Sequence, residues 1–313
     1  MSKVEVLMIG PYPAWDMEDM EQRYTVHKLW EAQDKDAFLA THAPAIRAIA
    51  TRGELGAKAD LMQKLPKLEI VSCYGVGVDG IDLEYARKNN IRVTNTPDVL
   101  SADVADLGMG LLIAAARQIP TADAFVRSGQ WTKGNMHLVT RVNGKKLGIV
   151  GMGRIGSIVA RRASGFECDI AYYDINRRDD LPYEFVDNLI ELARRSEFLI
   201  MTTAGGEGTR NLIGAEALEA LGPDGIFVNI SRGTTVDEAA LLDALENGKI
   251  KAAGLDVFLN EPAINEKFMK LPNVVLQPHH ASGTIETRKA MGELVRKNLQ
   301  AYFDGKELLT PVV

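Results

Sequence analysis

The feature that most constrains the fold is a glycine-rich hexapeptide, Gly151-Met152-Gly153-Arg154-Ile155-Gly156. It directly follows an apolar run at residues 147–150 and precedes a helical pattern at residues 157–163. Between a strand and a helix, these three glycines permit a tight turn, a close approach of backbone to a pyrophosphate, and close packing of helix on sheet. The N-terminus of the following helix would offer N–H groups to the phosphates. The hexapeptide therefore predicts a dinucleotide-binding turn.

Short apolar runs alternate with amphipathic, helix-like stretches on both sides of this hexapeptide. In the first third of the chain, the strand candidates are residues 4–9, 24–30, 45–51, 68–74 and 91–94. From Lys146 onward, they are residues 146–150, 170–173, 198–202, 226–230, 253–258 and 274–276. Strands that alternate with helices indicate parallel sheets, and six strands is the count of a Rossmann-type domain. We therefore predict an α/β fold with two doubly wound parallel-sheet domains, one flavodoxin-like and one Rossmann-type.

A chain of 313 residues exceeds the size of one comfortable hydrophobic core, which favours two domains. A helix predicted over residues 98–117, with Ser101 as its N-cap, would cross from one domain to the other. A terminal helix predicted over residues 286–304 lies beyond the six-strand series, so we expect it to return to the first domain. The predicted organisation is a discontinuous substrate domain, residues 1–99 plus 285–313, and a dinucleotide-binding domain over residues 100–284.

The chain carries 36 basic and 42 acidic residues, a formal net charge of −6. This balance argues against nucleic-acid binding and against a role on anionic membranes, since both need a basic surface. Cys73 and Cys168 lie in apolar surroundings without metal-ligand spacing, which indicates a reducing compartment and no metal site. The first residues do not have a signal-peptide pattern, and the apolar run at 107–116 is too short to cross a bilayer. We therefore expect a cytoplasmic protein.

The segment after the next predicted strand decides which dinucleotide the hexapeptide would bind. Asp174 follows Gly151 by 23 residues, near the spacing of about 20 at which a carboxylate binds the ribose 2′-hydroxyl of NAD(H). Asn176, Arg177 and Arg178 follow at once, and arginines there bind a 2′-phosphate through charge-assisted hydrogen bonds. The two features conflict. The paired arginines favour NADP(H), while Asp174 leaves NAD(H) open.

Three polar residues follow apolar strand candidates in the second half of the chain: Arg232, Glu261 and His279. Ligands of open α/β sheets bind at the carboxyl ends of the strands, so we expect these side chains to meet beside the dinucleotide. Histidine can protonate a carbonyl oxygen near neutral pH, and a carboxylate beside it would orient the ring and favour its charged form. Arginine would bind a substrate carboxylate and polarise the carbonyl. The set suits hydride transfer to a 2-oxo acid, whereas the alternative for His279 is a strand-end histidine that only bonds backbone.

Together these motifs resemble the D-isomer-specific 2-hydroxyacid dehydrogenase family over essentially the whole chain. The markers are Gly151–Gly156, Ile230-Ser231-Arg232-Gly233, Gly254-Leu255-Asp256-Val257-Phe258 with Glu261-Pro262, and Pro278-His279 with Ser282. Within the family the chain is most similar to NADPH-preferring hydroxypyruvate/glyoxylate reductases, on residues 70–72, 92–100, 103–107 and 308–313. Two stretches depart from that group: Asp174-Ile175 replaces a common Ser-Arg, and residues 202–206 differ from a usual Pro-Leu-Thr pattern.

The resemblance implies roles for further residues. Backbone N–H groups of Val76 and Gly77 would join Arg232 in binding the substrate carboxylate, and Asp256 would hold the nicotinamide carboxamide. The implied cofactor-binding set is Gly151, Gly153, Arg154, Ile155, Gly156, Asp174, Asn176, Arg177, Arg178, Thr203, Ala204, Ile230, Asp256 and His279. The resemblance also implies a homodimer formed through the cofactor domain, with residues 131–138 near the active site of the second subunit.

The function implied by the resemblance is NADPH-dependent reduction of glyoxylate to glycolate and of hydroxypyruvate to D-glycerate, with His279 as general acid. One alternative is an NAD-dependent dehydrogenase of another D-2-hydroxy acid, such as D-3-phosphoglycerate. Another, from a different class, is a corepressor-like protein that senses dinucleotide. Because a pocket discriminates one methylene group by only about 1–3 kcal/mol, the sequence leaves the preferred acid open.

Overall fold

The computed structural model describes residues 3–313, and Met1 and Ser2 lie outside the described residues. The chain divides into two compact units: the first unit takes in the chain up to Leu100 together with Gly283–Val313, and the second unit is Ser101–Ser282. The strands are β1 (Glu5–Met8), β2 (Thr25–Lys28), β3 (Ala48–Arg52), β4 (Ile70–Tyr74), β5 (Arg92–Thr94), β6 (Lys146–Val150), β7 (Asp169–Tyr173), β8 (Glu184–Phe185), β9 (Phe198–Met201), β10 (Ile226–Asn229), β11 (Ala252–Leu255) and β12 (Val274–Leu276). The α-helices are α1 (Ala14–Arg23), α2 (Lys35–His42), α3 (Ala59–Gln63), α4 (Leu83–Lys88), α5 (Ser101–Arg117), α6 (Ile119–Arg127), α7 (Arg154–Ser164), α8 (Leu189–Arg195), α9 (Ala215–Leu221), α10 (Glu238–Glu246) and α11 (Ile285–Phe303).

Each unit is built on one parallel sheet. The first unit has five strands in the order β2-β1-β3-β4-β5, and the second has seven in the order β12-β11-β10-β9-β6-β7-β8. Parallel neighbours need crossover connections, which the helices between the strands supply. In both sheets the chain runs outward from an inner strand in one direction and then in the other, which is the doubly wound arrangement. The predicted fold class is confirmed.

The inner strands are buried on both faces, which explains why they appear in the sequence as continuous apolar runs. All residues of β4, β9 and β10 are buried. Helices cover both faces of a parallel sheet, so neither face of such a strand contacts water. The loops that follow β6, β9, β10 and β11 therefore start from the ends of buried, hydrogen-bonded strands.

The helix predicted over residues 98–117 begins three residues later than expected. Asp98 has a φ of +67°, which is incompatible with a right-handed helix, and α5 starts at Ser101. Ser101 is therefore the first helical residue and not the N-cap. At the other end, Gln118 has a φ of +50° and separates α5 from α6, a helix that the sequence pattern does not predict.

Strand boundaries show smaller corrections. The segment predicted as a strand over 24–30 ends at Lys28, where a 3₁₀ turn, Leu29–Glu31, begins. The segment predicted over 253–258 ends as β11 at Leu255, so Asp256 lies just beyond the sheet. The sequence also misses β8, because two residues paired only to β7 leave no periodic pattern.

No helix in the described part of the chain, residues 3–313, combines the length and apolar character that a bilayer crossing requires. Within the same residues, no three or more histidine, cysteine, aspartate or glutamate side chains are grouped so that they could hold a metal ion.

A buried ion pair joins α1 to α11 in the first unit. Asp16 is fully buried and accepts a hydrogen bond from Arg296, whose side chain is only 14 % exposed. Arg296 also lies 3.2 Å from the carboxylate of Asp19. Nearby, the Tyr74 hydroxyl donates to the backbone carbonyl of Arg288 at 2.6 Å, which ties the end of β4 to α11. Charge and hydrogen bonding therefore anchor the C-terminal helix to this unit.

We expect Arg296→Leu to lower the free energy of unfolding of the first unit by about 3–5 kcal/mol, because it leaves the Asp16 carboxylate buried without its partner. Denaturant unfolding would measure the change. Lys297→Ala is the control, since Lys297 pairs with Glu293 on the exposed face of the same helix and should have little effect. Equal stability of the two variants would contradict the assignment.

Candidate active site

The glycine-rich turn lies between β6 and α7 in the second unit. Gly151 has a φ of +97°, and a Cβ atom there would stand 2.8 Å from the backbone nitrogen of Thr203. A Cβ atom at Gly156 would clash with the carbonyl oxygen of Gly151. Helix α7 starts at Arg154, three residues before the predicted start, so its first turn contains the end of the hexapeptide. Gly153 and Arg154 are exposed, which leaves the helix N-terminus accessible to an anion.

Asp174 and Arg178 both bind the backbone of this turn. The N–H of Met152 donates to the Asp174 carboxylate at 2.7 Å, and Arg178 Nη1 donates to the Met152 carbonyl oxygen at 3.2 Å. Arg178 also makes a two-point contact with Asp180, at 2.8 and 2.7 Å. The hydrogen bonds and charge of Asp180 raise the pKa of the Arg178 guanidinium above its usual value. A carboxylate and a guanidinium therefore lie together at the turn.

Arg177 and Asn176, which the sequence also predicts to contact the cofactor, make no hydrogen bond to the glycine-rich turn among the described residues. Arg177 donates to Asp179 at 2.6 Å, and its side chain is 68 % exposed. Asn176 is exposed, and its backbone N–H lies 3.4 Å from the Asp174 carboxylate. Of the two arginines, the structure places Arg178 and not Arg177 against the glycine-rich turn.

Glu261 and His279 form a direct hydrogen bond. Nδ1 of His279 lies 2.6 Å from Oε2 of Glu261, and the other carboxylate oxygen accepts the Phe258 N–H at 2.7 Å. Burial alone would raise the pKa of Glu261, but the bonds and charges of His279, Phe258 and Arg232 outweigh it and hold the pKa below its usual value. Glu261 is therefore an anion near neutral pH, and it leaves Nε2 of His279 as the ring nitrogen available to a ligand.

Asp256 holds the loop that carries His279. Its carboxylate is 1 % exposed and accepts the N–H groups of His280 at 2.7 Å and Ala281 at 3.0 Å. Its carbonyl oxygen accepts the His279 N–H at 2.8 Å, and His279 has a φ of +51°. Burial raises the pKa of Asp256 despite these bonds. Sequence reasoning missed this role, although the position of Asp256 at the end of a buried strand could have indicated it.

Arg232 is fixed through its backbone at the end of β10. Asn229 accepts the Ser231 N–H at 3.0 Å and donates to the Arg232 carbonyl oxygen at 3.1 Å. The Thr235 hydroxyl donates to the same carbonyl oxygen at 2.6 Å. The Ser231 hydroxyl donates to the carbonyl oxygen of Thr203, which connects this turn to the one after β9. The charge of Arg232 acts on Glu261, so all three predicted catalytic side chains belong to one electrostatic group.

The remaining predicted site residues have mixed surroundings. Ala204 is exposed, and its carbonyl oxygen accepts the Thr209 hydroxyl at 2.8 Å. Ile230 is buried, and its side chain packs so closely on Gly108 of α5 that a Cβ atom there would lie 2.7 Å from it. Val76 and Gly77 follow β4 in the first unit and are half-buried. The glycine-rich turn, the segment 174–178 and the group formed by Arg232, Glu261 and His279 thus all lie within the second unit.

Comparisons with known proteins agree with this geometry. The family model for the D-isomer specific 2-hydroxyacid dehydrogenase NAD binding domain matches residues 109–281. The chain belongs to this family, and the resemblance inferred from its motifs is confirmed. It is 44 % identical to glyoxylate/hydroxypyruvate reductase A HPR2 of Arabidopsis thaliana over 313 residues, which cover 100 % of both chains.

Two solved structures are similar over their whole length. A 2-hydroxyacid dehydrogenase from Ketogulonicigenium vulgare is 52 % identical with a TM-score of 0.95, covering 100 % of this chain and 99 % of that one. An NADPH-dependent glyoxylate/hydroxypyruvate reductase from Sinorhizobium meliloti, in complex with NADP and malonate, is 38 % identical with a TM-score of 0.92, covering 100 % and 97 %. The protein is an enzyme of the NAD(P)-dependent 2-hydroxyacid dehydrogenase class.

We expect Gly151→Ala to weaken dinucleotide binding by at least about tenfold, because the added methyl group collides with the Thr203 backbone and displaces the turn. Fluorescence titration with NADPH would measure the dissociation constant. Gly144→Ala is the matched control: Gly144 also has a positive φ, +71°, but nothing lies within 4 Å of its added Cβ atom. If both variants bound NADPH equally well, the close approach at Gly151 would not matter for binding.

Proposed function

We propose that this protein is an NADPH-dependent reductase of small 2-oxo acids that converts glyoxylate to glycolate and hydroxypyruvate to D-glycerate. The observation that carries the proposal is the hydrogen-bonded His279–Glu261 pair, which lies in the same unit as the dinucleotide turn and whose carboxylate has its pKa lowered in part by the charge of Arg232. The similarity to the Arabidopsis thaliana and Sinorhizobium meliloti reductases supports this substrate class.

The side chains divide the reaction between them. The bound cofactor supplies a hydride to the carbonyl carbon of the 2-oxo acid. His279, protonated and held by Glu261 at Nδ1, donates a proton from Nε2 to the carbonyl oxygen. Arg232 binds the substrate carboxylate and stabilises the negative charge that develops on the oxygen. The N–H groups of Val76 and Gly77 bind the same carboxylate, as the family resemblance implies.

The residues of the second unit fit a dinucleotide. The pyrophosphate would lie on the turn and the first residues of α7, where Gly151, Gly153 and Gly156 allow close approach. The proposed contacts of the rest of the cofactor are Arg154, Ile155, Asp174, Asn176, Arg177, Arg178, Thr203, Ala204, Ile230, Asp256 and His279. A carboxylate has about four acceptor positions, so Asp256 could bind a carboxamide N–H as well as its two backbone partners.

The preference for NADP(H) is supported by the position of Arg178. Its guanidinium lies at the glycine-rich turn, and the charge of Asp174 acts on it. Asp174 in turn accepts the Met152 N–H, so its negative charge is partly satisfied inside the protein. One observation favours the alternative, an NAD-dependent dehydrogenase of another D-2-hydroxy acid. A carboxylate at the end of this strand is the usual partner of the ribose 2′-hydroxyl of NAD(H).

Two further parts of the proposal concern assembly and location. None of the nine residues of α6 is buried, and large apolar side chains are exposed in this helix, at Ile119 and Val126, and after it, at Trp131 and Leu138. Exposed apolar patches are common at protein–protein interfaces. These exposed side chains support a homodimer formed through the second unit, with residues 131–138 near the active site of the second subunit. We also place the protein in the cytoplasm, in keeping with the apolar surroundings of its two cysteines.

We expect the wild-type enzyme to oxidise NADPH with glyoxylate and with hydroxypyruvate, which absorbance at the nicotinamide band would follow. His279→Gln should lower kcat/KM by about 10²–10⁴-fold, the usual contribution of a positioned general acid, with the NADPH dissociation constant unchanged. His42→Gln, at the end of α2 and outside every motif named above, is the control. Absence of turnover with both acids and both nucleotides would refute the proposed function and leave the two alternatives, a dehydrogenase of another D-2-hydroxy acid and a dinucleotide-sensing protein.

We expect Arg178→Ala to raise the dissociation constant of NADPH by about tenfold and to leave that of NADH nearly unchanged, because a charge-assisted bond to the 2′-phosphate is lost. Arg177→Ala is the comparison and should weaken NADPH binding less, since the Arg177 side chain is directed toward Asp179. Equal weakening of both nucleotides by Arg178→Ala would show that this residue does not read the phosphate.

A further inference from the structure

The loop after β4, Gly75-Val76-Gly77, is bound by two residues that follow β5. The Gly75 N–H donates to the Thr96 hydroxyl at 3.0 Å, and the Gly75 carbonyl oxygen accepts the Thr96 N–H at 2.9 Å. The side-chain amide of Asn95 donates to the carbonyl oxygen of Val76 at 2.8 Å. Two successive carbonyl groups of the loop are therefore directed toward the same short segment, Asn95-Thr96.

These bonds fix the direction of two N–H groups. In a trans peptide unit, the carbonyl of one residue and the N–H of the next point in opposite directions. Since the Gly75 carbonyl points toward Thr96, the Val76 N–H points away from it. Since the Val76 carbonyl points toward Asn95, the Gly77 N–H also points away from that segment. Two successive N–H groups are thus directed to one side of the loop.

Successive backbone N–H groups on one side form a concave site for an anion. Within residues 3–313, neither the Val76 N–H nor the Gly77 N–H donates to a protein acceptor. Both residues are only half-buried, so an anion from solvent can reach them. The bonds to Asn95 and Thr96 hold this arrangement before any ligand arrives, and they leave the two donors for it.

We propose that Asn95 is a positioning residue that sets the orientation of the Val76–Gly77 peptide unit and thereby the affinity of the enzyme for the substrate carboxylate. The inference rests on the proposed function, in which the Val76 and Gly77 N–H groups bind that carboxylate. Asn95 does not itself touch substrate. Thr96 is fully buried and binds Gly75 through both its backbone N–H and its hydroxyl. Asn95 holds the Val76 carbonyl oxygen through its side chain alone and can be changed separately.

The backbone of Asn95 is itself held by the C-terminal segment. The Thr310 hydroxyl donates to the Asn95 carbonyl oxygen at 2.6 Å and accepts a hydrogen bond from the fully buried amide of Asn298 at 2.8 Å. The side-chain oxygen of the same amide, Asn298 Oδ1, accepts the N–H groups of Leu309 and Thr310, at 3.0 and 3.1 Å. A chain of bonds therefore runs from α11 through Thr310 and Asn95 to the Val76 carbonyl.

The test measures carboxylate binding apart from turnover. Malonate, which has no ketone to reduce, would be titrated against the enzyme–NADPH complex while the nucleotide fluorescence is followed. Asn95→Ala should raise the malonate dissociation constant and the KM for glyoxylate by about tenfold, the effect of one lost hydrogen bond on the donor geometry, with kcat and NADPH affinity nearly unchanged. Asn95→Asp should have a larger effect, because its carboxylate repels the Val76 carbonyl and attracts the Gly77 N–H to the wrong side.

The control is Asn89→Ala, which removes the same type of bond, from a side-chain amide to the Tyr85 carbonyl at 2.9 Å, at a place without connection to the loop. It should leave malonate binding unchanged. Thr310→Val is a second route to the same site: loss of its bond to Asn95 should raise the malonate dissociation constant by about two- to fivefold. Wild-type malonate binding and wild-type KM in folded Asn95→Ala would overturn the inference. Failure of the proposed function would be seen separately, as absence of 2-oxo acid turnover by the wild-type enzyme.

Discussion

The close approach of backbone at Gly151 is the constraint on which the arrangement of the second unit depends. Its carbonyl oxygen accepts the Thr202 hydroxyl at 2.5 Å, and Gly156 leaves space for that oxygen beside α7. The carbonyl oxygen of Thr203, the residue after Thr202, accepts the Ser231 hydroxyl, and Ser231 precedes Arg232. A series of hydrogen bonds therefore connects the dinucleotide turn, through the ends of β9 and β10, to the residue before Arg232. A displaced turn would therefore displace Arg232 as well.

Two carboxylates at the end of the same sheet do different work because their surroundings differ. Glu261 has a hydrogen bond to His279 and the field of Arg232, so its pKa is lowered and it stays charged beside the imidazole. Asp256 is more deeply buried, its pKa is raised, and its oxygens hold backbone N–H groups of the loop that carries His279. One carboxylate binds the imidazole ring, and the other holds the backbone of the loop that carries it.

The features that the sequence predicts well are those with a local cause. The glycine-rich turn between β6 and α7 and the alternation of buried strands with helices follow from turn chemistry and burial. The positive φ of Asp98, which precedes the start of α5, has no local pattern in the sequence. The same holds for the different surroundings of Arg177 and Arg178, and for the bond from Asn95 to Val76, whose partners are 19 residues apart. Contacts between residues far apart in the chain need the fold to be seen.

The pairing of each arginine with its own aspartate changes what selectivity between nucleotides means in this protein. Arg178 already has a two-point contact with Asp180, so a 2′-phosphate bound at Arg178 as proposed would not meet a bare cation. It must compete with a carboxylate that is attached to the same loop and is always present. The free energy of phosphate recognition would then be the difference between two interactions of one guanidinium, one with the phosphate and one with the Asp180 carboxylate. That difference is smaller than either interaction alone. The preference for NADPH over NADH would then be partial and not absolute. A substitution at Asp180 would change that preference without altering a residue proposed to contact the cofactor.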